Sequence, residues 1–142
     1  MKKFIYSLLA LMAFTLGALT LTACGDDDDD VANVPSWLVG SWQECDSKGN
    51  VYNDATGYEV LHATYNANGT GRWWAVSNGK TTDWYEFKFS GSGNGTTANG
   101  TITITSSSNN SIYPVGASES GTISISDNGI MNAGDIYYKK VN

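Results

Sequence analysis

Positive charge is scarce in this chain. Eight Lys and Arg stand against fourteen Asp and Glu in 142 residues, and only 15% of the residues are charged. A nucleic-acid interface needs clustered Lys and Arg to displace counterions, so no nucleic acid is expected as a partner. Histidine occurs once, at His62, and cysteine twice, at Cys24 and Cys45. A lone His without a Cys/His/Asp cluster makes poor metal chemistry, so no metal is expected. Gly-rich phosphate loops and nucleophile elbows are missing as well, so neither a cofactor nor a catalytic residue is expected. The reading is of a protein that is not an enzyme. Proline occurs only twice, at Pro35 and Pro114. A helical apolar period is absent from the chain after its first thirty residues.

What is abundant points to strands and turns. There are 16 Gly, with frequent Thr, Ser and Asn, and the bulk comes from five Trp, eight Tyr and four Phe. Gly and Asn suit tight turns, and Thr, Ile, Val, Tyr and Trp suit pleated surfaces, so the composition is that of an all-β chain.

The amino terminus has its own pattern. Lys2 and Lys3 precede the apolar stretch Leu8 to Leu21, and small Ala23 precedes Cys24. This is the layout of a cleaved secretory signal. A transmembrane helix would need about 20 apolar residues, more than this stretch supplies. Cleavage after residue 23 removes Lys2 and Lys3, leaving 119 residues with a net charge of −8 instead of −6. That is room for one domain. Gly25 and the run Asp26, Asp27, Asp28, Asp29, Asp30 follow the cysteine. Like charges repel and cannot pack, so the run reads as a solvated tether. The expected division is a signal peptide over 1–23, an anchor and tether over 24–36, and a β-barrel domain over 37–142.

Within the domain, turn signals separate alternating runs. Strands are expected at 38–45, 58–65, 70–77, 80–90, 100–105, 121–126 and 130–141, with a weak edge strand at 111–115 containing Pro114. Asn78-Gly79 is the strongest hairpin signal, because a type I′ turn wants positive φ at both positions. Residues 91–99, rich in Gly, Ser and Asn, read as a mobile loop. About eight strands with short links favour antiparallel neighbours in sequence order, as in an up-and-down barrel. Alternation puts Tyr85, Phe87 and Phe89 in the core, together with Ile102, Ile104, Ile123 and Ile125. Trp84, Glu86 and Lys88 take the other face.

Three resemblances sharpen this. Leu21-Thr22-Ala23-Cys24 resembles the lipobox of bacterial lipoproteins. It implies a lipid on Cys24, cleavage between Ala23 and Cys24, and attachment to a membrane. The acidic run resembles the export signal of Bacteroides-type lipoproteins and implies display on the outer face of the outer membrane. Leu38-Val39-Gly40-Ser41-Trp42 resembles the Gly-x-Trp strand of lipocalins and related calycins, and of the short lipocalin-like domains of such lipoproteins. Residues 63–71 and 135–141 are similar to two further elements of those domains. The resemblance implies that Trp42 crosses the closed end of a barrel, with Lys139 or Lys140 stacked on it.

His62 reads as a structural or surface residue and Cys45 as a small buried apolar one. Trp73 and Trp74 are adjacent, so they face opposite sides of their strand, and Trp84 sits beside polar groups. These three are the candidate ligand-binding residues. Two functions remain open for an expected monomer. One is binding of a small apolar or amphipathic ligand inside the barrel. The other is recognition of a glycan or partner protein by exposed Trp on a filled barrel. An apolar void of about 300 Å³ or more marks the first, and a solid core with a Trp-bearing surface marks the second.

Overall fold

The computed structural model describes residues 33–142. The signal peptide, Cys24 and the acidic run lie outside the described residues. Eight strands follow in order: β1 Gly40–Cys45, β2 Val60–Tyr65, β3 Thr70–Ser77, β4 Lys80–Gly93, β5 Thr97–Ser107, β6 Ser118–Ile125, β7 Ile130–Ala133 and β8 Ile136–Lys140. Each pairs antiparallel with the next, and β8 pairs with β1, closing an up-and-down barrel. The β6–β7 seam is short, pairing only Ser124 with Asn132 and Ile125 with Met131, so the rest of β6 is hydrogen-bonded on its β5 side alone.

The turns form where their chemistry allows. Asn78 and Gly79 have φ of +51° and +70°, as a type I′ hairpin requires. Side chains alternate about the wall. Trp42, Ala63, Trp73, Tyr85, Phe87, Phe89, Ile104, Met131 and Tyr138 form one buried cluster, against which Ile102, Ile123 and Ile125 pack.

Three expectations need correction. Residues 91–99 are mostly strand: β4 and β5 form one long hairpin that continues to Gly93 and Thr97. Only 94–96 turn, and there Asn94 Oδ1 accepts the backbone N–H of Thr96 and Thr97 at 3.0 and 2.9 Å. Pairing of 91–93 with 98–100, and of 98 and 99 with β6 as well, overrides the low strand preference of Gly and Asn. Residues 111–115 are not a strand. The Asn109 carbonyl accepts the N–H groups of Ile112 and Tyr113, and Asn110 Oδ1 accepts that of Val115. These local bonds compete with a ladder. Finally, 130–141 is two strands, split by Gly134 with φ of +70° and Asp135. The expected count of eight therefore holds although one strand is exchanged for another.

The two ends differ. Residues 33–38 plug the end where β1 begins. Leu38 is completely buried, and its carbonyl accepts a hydrogen bond from Trp42 Nε1 at 2.8 Å. Lys140 Nζ lies 5.3 Å from the Trp42 ring centroid, a cation–π contact, and donates to the Trp37 carbonyl at 3.0 Å. Of the two expected basic partners it is thus Lys140 that stacks on Trp42. Gly40 has φ of +132°, and a Cβ there would stand 2.7 Å from Lys140 Cε, so only glycine fits beside the stack.

Strands alternate in direction, so the β5–β6 connection lies at the opposite end. It folds inward as a lid. Tyr113 at its centre is only 2% exposed, whereas neighbouring Ile112 and Val115 are 45% and 56% exposed. The Tyr113 ring packs 5.7 Å from Trp73 and 5.1 Å from Tyr85.

Candidate functional site

The interior is nearly filled. Among the described residues, two small part-open cavities of about 80 and 90 Å³ reach into it. The first is walled by aromatic side chains, among them Tyr65, Trp73, Tyr85, Phe89 and Tyr138, and by Gly100 and Gly121. The second lies under the lid, against Pro114 and Ala117. Tyr85, Ile102 and Glu119 line both. Gly100 and Gly121 face each other across β5 and β6, so the wall carries no side chains there. The Phe89 ring uses this opening, because a Cβ on Gly100 would lie 2.6 Å from it.

Glu119 is the one carboxylate among the residues lining the two cavities. Its direction follows from the strand. Flanking Ser118 and Ser120 are exposed, and their hydroxyls bond to Thr103 and Thr101 on the outer wall at 2.8 and 2.6 Å. Period two then turns Glu119 inward with Gly121, Ile123 and Ile125. Its Oε1 is buried without a hydrogen-bond partner. Burial alone pushes its carboxyl up to about 7. Burial also raises the surrounding phenols. Tyr65 reaches about 12, and Tyr85, Tyr113 and Tyr138 are raised as well, with a hydrogen bond from Trp73 working the other way at Tyr138.

A stability test follows. Below pH 4.5, the ordinary value, Glu119 is protonated whether the chain is folded or not. Between 4.5 and about 7 the unfolded chain gives up that proton first, so folding stability falls as pH rises and then levels off. The phenols that share the first cavity with Glu119 are those of Tyr65 on β2, Tyr85 on β4 and Tyr138 on β8, all neutral throughout this window. Glu119→Gln should flatten the decline. Urea midpoints of both chains at about pH 5 and about pH 8 measure it, and parallel declines would refute it.

The three candidate tryptophans separate. Trp73 is buried and lines the first cavity. Trp74 and Trp84 stand on the outer wall, in a cross-strand row with Gln43 and His62. One side of each is already occupied. The His62 ring stacks on Trp74 with centroids 5.0 Å apart and planes at 10°, and the Arg72 guanidinium lies 4.9 Å from the Trp84 centroid. An open groove of about 180 Å³ remains between Arg72, Trp74 and Thr81.

His62 is held in place from above. Its Nε2 meets Asp54 Oδ1 at 2.9 Å, from a loop that also accepts Gln43 Nε2 on the Tyr52 carbonyl at 2.8 Å. Cys45 is 2% exposed. Burial first, then Asp46, raises its thiol, the reverse of what a reactive thiolate needs. Among the described residues no three His, Cys, Asp or Glu converge to hold a metal ion.

Sequence reasoning missed Glu119. The clean alternation of Ile123 and Ile125 was the signal: counting back by two reaches Gly121 and then Glu119. It also missed Tyr113, because the lid has no periodicity to mark its one buried side chain. No protein-family model, curated protein or solved structure matches this chain.

Proposed function

We propose that this chain is a lipid-anchored, non-catalytic binding lipoprotein of the outer membrane, exposed at the cell surface, that admits a small amphipathic ligand through the lidded end of a lipocalin-like barrel. The single observation that carries the reading is the pair of apolar cavities meeting at Glu119 beneath the lid. At about 80 and 90 Å³ they fall short of the roughly 300 Å³ that marks a drug-sized interior site, which counts toward the second reading below and restricts the interior one to very small ligands. Drug-sized ligands occupy about 300–1,000 Å³, whereas one water needs about 10–15 Å³ of such space. Cavities of about 80 and 90 Å³ thus suit molecules of a few heavy atoms, not a fatty acyl chain. The plugged end, with Gly40, Trp42 and Lys140, supports the lipocalin-like part of the reading. The lipobox and the acidic run support the anchor and the address.

A second reading has two observations in its favour, the nearly filled interior and an outer groove. The groove at Arg72, Trp74 and Thr81 offers an indole beside a guanidinium to a glycan or a partner protein. The occupied sides of Trp74 and Trp84 weigh against it.

Ligand-observed NMR on the mature chain, carrying Cys24→Ala to keep it free of lipid, distinguishes the two. Small amphipathic molecules should bind and should be displaced by Ala133→Leu, which fills the first cavity. Circular dichroism checks that this variant keeps its barrel. Trp74→Ala should leave binding unchanged. Binding that is lost with Trp74→Ala and survives Ala133→Leu would overturn the interior reading, as would a panel with no binder.

A further inference from the structure

We infer that the ligand is a small protonated alkylamine, its ammonium group held by Glu119 and its alkyl chain lying along the aromatic wall. This rests on the interior reading just proposed and specifies its chemistry.

A buried carboxyl oxygen is an obligatory acceptor. Left unmatched, it costs free energy, and a charged one costs more. Glu119 Oε1 has no partner. The lining of both cavities contains neither Lys nor Arg, so no side chain there supplies the missing charge. A ligand bearing N–H groups and one positive charge supplies donor and counter-charge together. Such charge-assisted bonds are about twice as strong as neutral ones.

The rest of the lining suits the rest of such a molecule. Around the first cavity stand Tyr65, Trp73, Tyr85, Phe89 and Tyr138, with Met131 and Ile123 between them. Aromatic walls attract cations and bury methylene groups. Anionic ligands would meet the carboxylate instead, and purely apolar ones would leave it bare. The space beneath the lid continues to the same carboxyl through Ile104, Pro114 and Ala117. An amine entering there meets apolar wall first and Glu119 where the two spaces adjoin. The acid stays within the barrel at some cost to folding, which a purely structural side chain at this position would not impose.

The test compares n-butylammonium with 1-butanol, a neutral molecule of the same length. Methyl NMR of Ile102, Ile123 and Met131 in the mature Cys24→Ala chain reports occupancy of the cavity at about pH 7.5. The ammonium should bind at least about tenfold more tightly than the alcohol. Glu119→Gln should erase that preference and leave the alcohol unchanged. Because glutamine is close to isosteric, its far-ultraviolet spectrum should match that of the parent. Equal binding of both probes, insensitive to Glu119→Gln, would overturn the ammonium assignment and leave the interior reading standing. Failure of both probes to perturb any of the three methyls would overturn the assignment together with that reading.

Discussion

Trp42→Ala should cost the barrel about 3–5 kcal/mol, the range for truncating a buried tryptophan. A domain of this size is held by only about 5–15 kcal/mol, so the loss would leave it marginal. Trp42 is 1% exposed, and a hydrogen bond and a cation–π contact converge on it. Its indole N–H donates to the Leu38 carbonyl at 2.8 Å, so the alanine variant leaves a carbonyl of the plug unpaired. Its ring carries the Lys140 ammonium 5.3 Å from the centroid. Its strand neighbours across the ladders are Ala63 and Lys140, both too slender or too flexible to close the resulting hole. Trp42→Phe keeps an aromatic surface and loses the hydrogen bond, so it should cost about 1–3 kcal/mol. Urea denaturation of the three chains measures both values. A Trp42→Ala midpoint close to that of the parent would show that the plug is not part of the cooperative core.

The second large effect concerns address. In the proposed reading the Cys24 sulfur carries a diacylglyceryl group, and no other group at that position can form the thioether. Single acyl chains bind membranes only marginally, whereas two or three give stable anchoring, each buried CH₂ adding about 0.8 kcal/mol. Cys24→Ala should therefore abolish incorporation of a palmitate analogue and empty the outer-membrane fraction of this protein. Protease shaving of whole cells should digest the parent chain, and neutralising Asp26 to Asp30 as Asn should protect it while the label is kept. Label retained by the Cys24→Ala chain, or a mature parent protein that starts at another residue, would overturn the anchor.

Much of the barrel can be read from residue order because its determinants are local. Alternation on β4 and β5 assigns Tyr85, Phe87, Phe89 and Ile104 to the interior without knowledge of their partners, and each is buried. Asn78-Gly79 marks its turn by backbone chemistry alone. The failures share a different physics. Residues 91–93 become strand by pairing with 98–100 alone, and 98 and 99 gain a second ladder from β6, so partners elsewhere in the sheet outweigh local preference. Gly134-Asp135 is a hairpin signal in its own right, hidden within a run of apolar and aromatic residues that looked continuous. At the site the same division holds. The opposite directions of Trp73 and Trp74 follow from their adjacency. The convergence of Glu119 with aromatic side chains of β2, β3, β4 and β8 depends on how far each strand slides past the next, which no single strand records.

In the proposed reading the plug also bears on which end of the barrel is nearer the anchor. Residues 33–38 enter the barrel at the end where β1 begins, and Trp37 Nε1 bonds there to the Asn94 carbonyl of the β4–β5 turn. A chain moored through Cys24 is moored from that stoppered base. The Tyr113 hatch lies at the far end, so in that reading cargo would be drawn from the surrounding medium and not from the bilayer beneath.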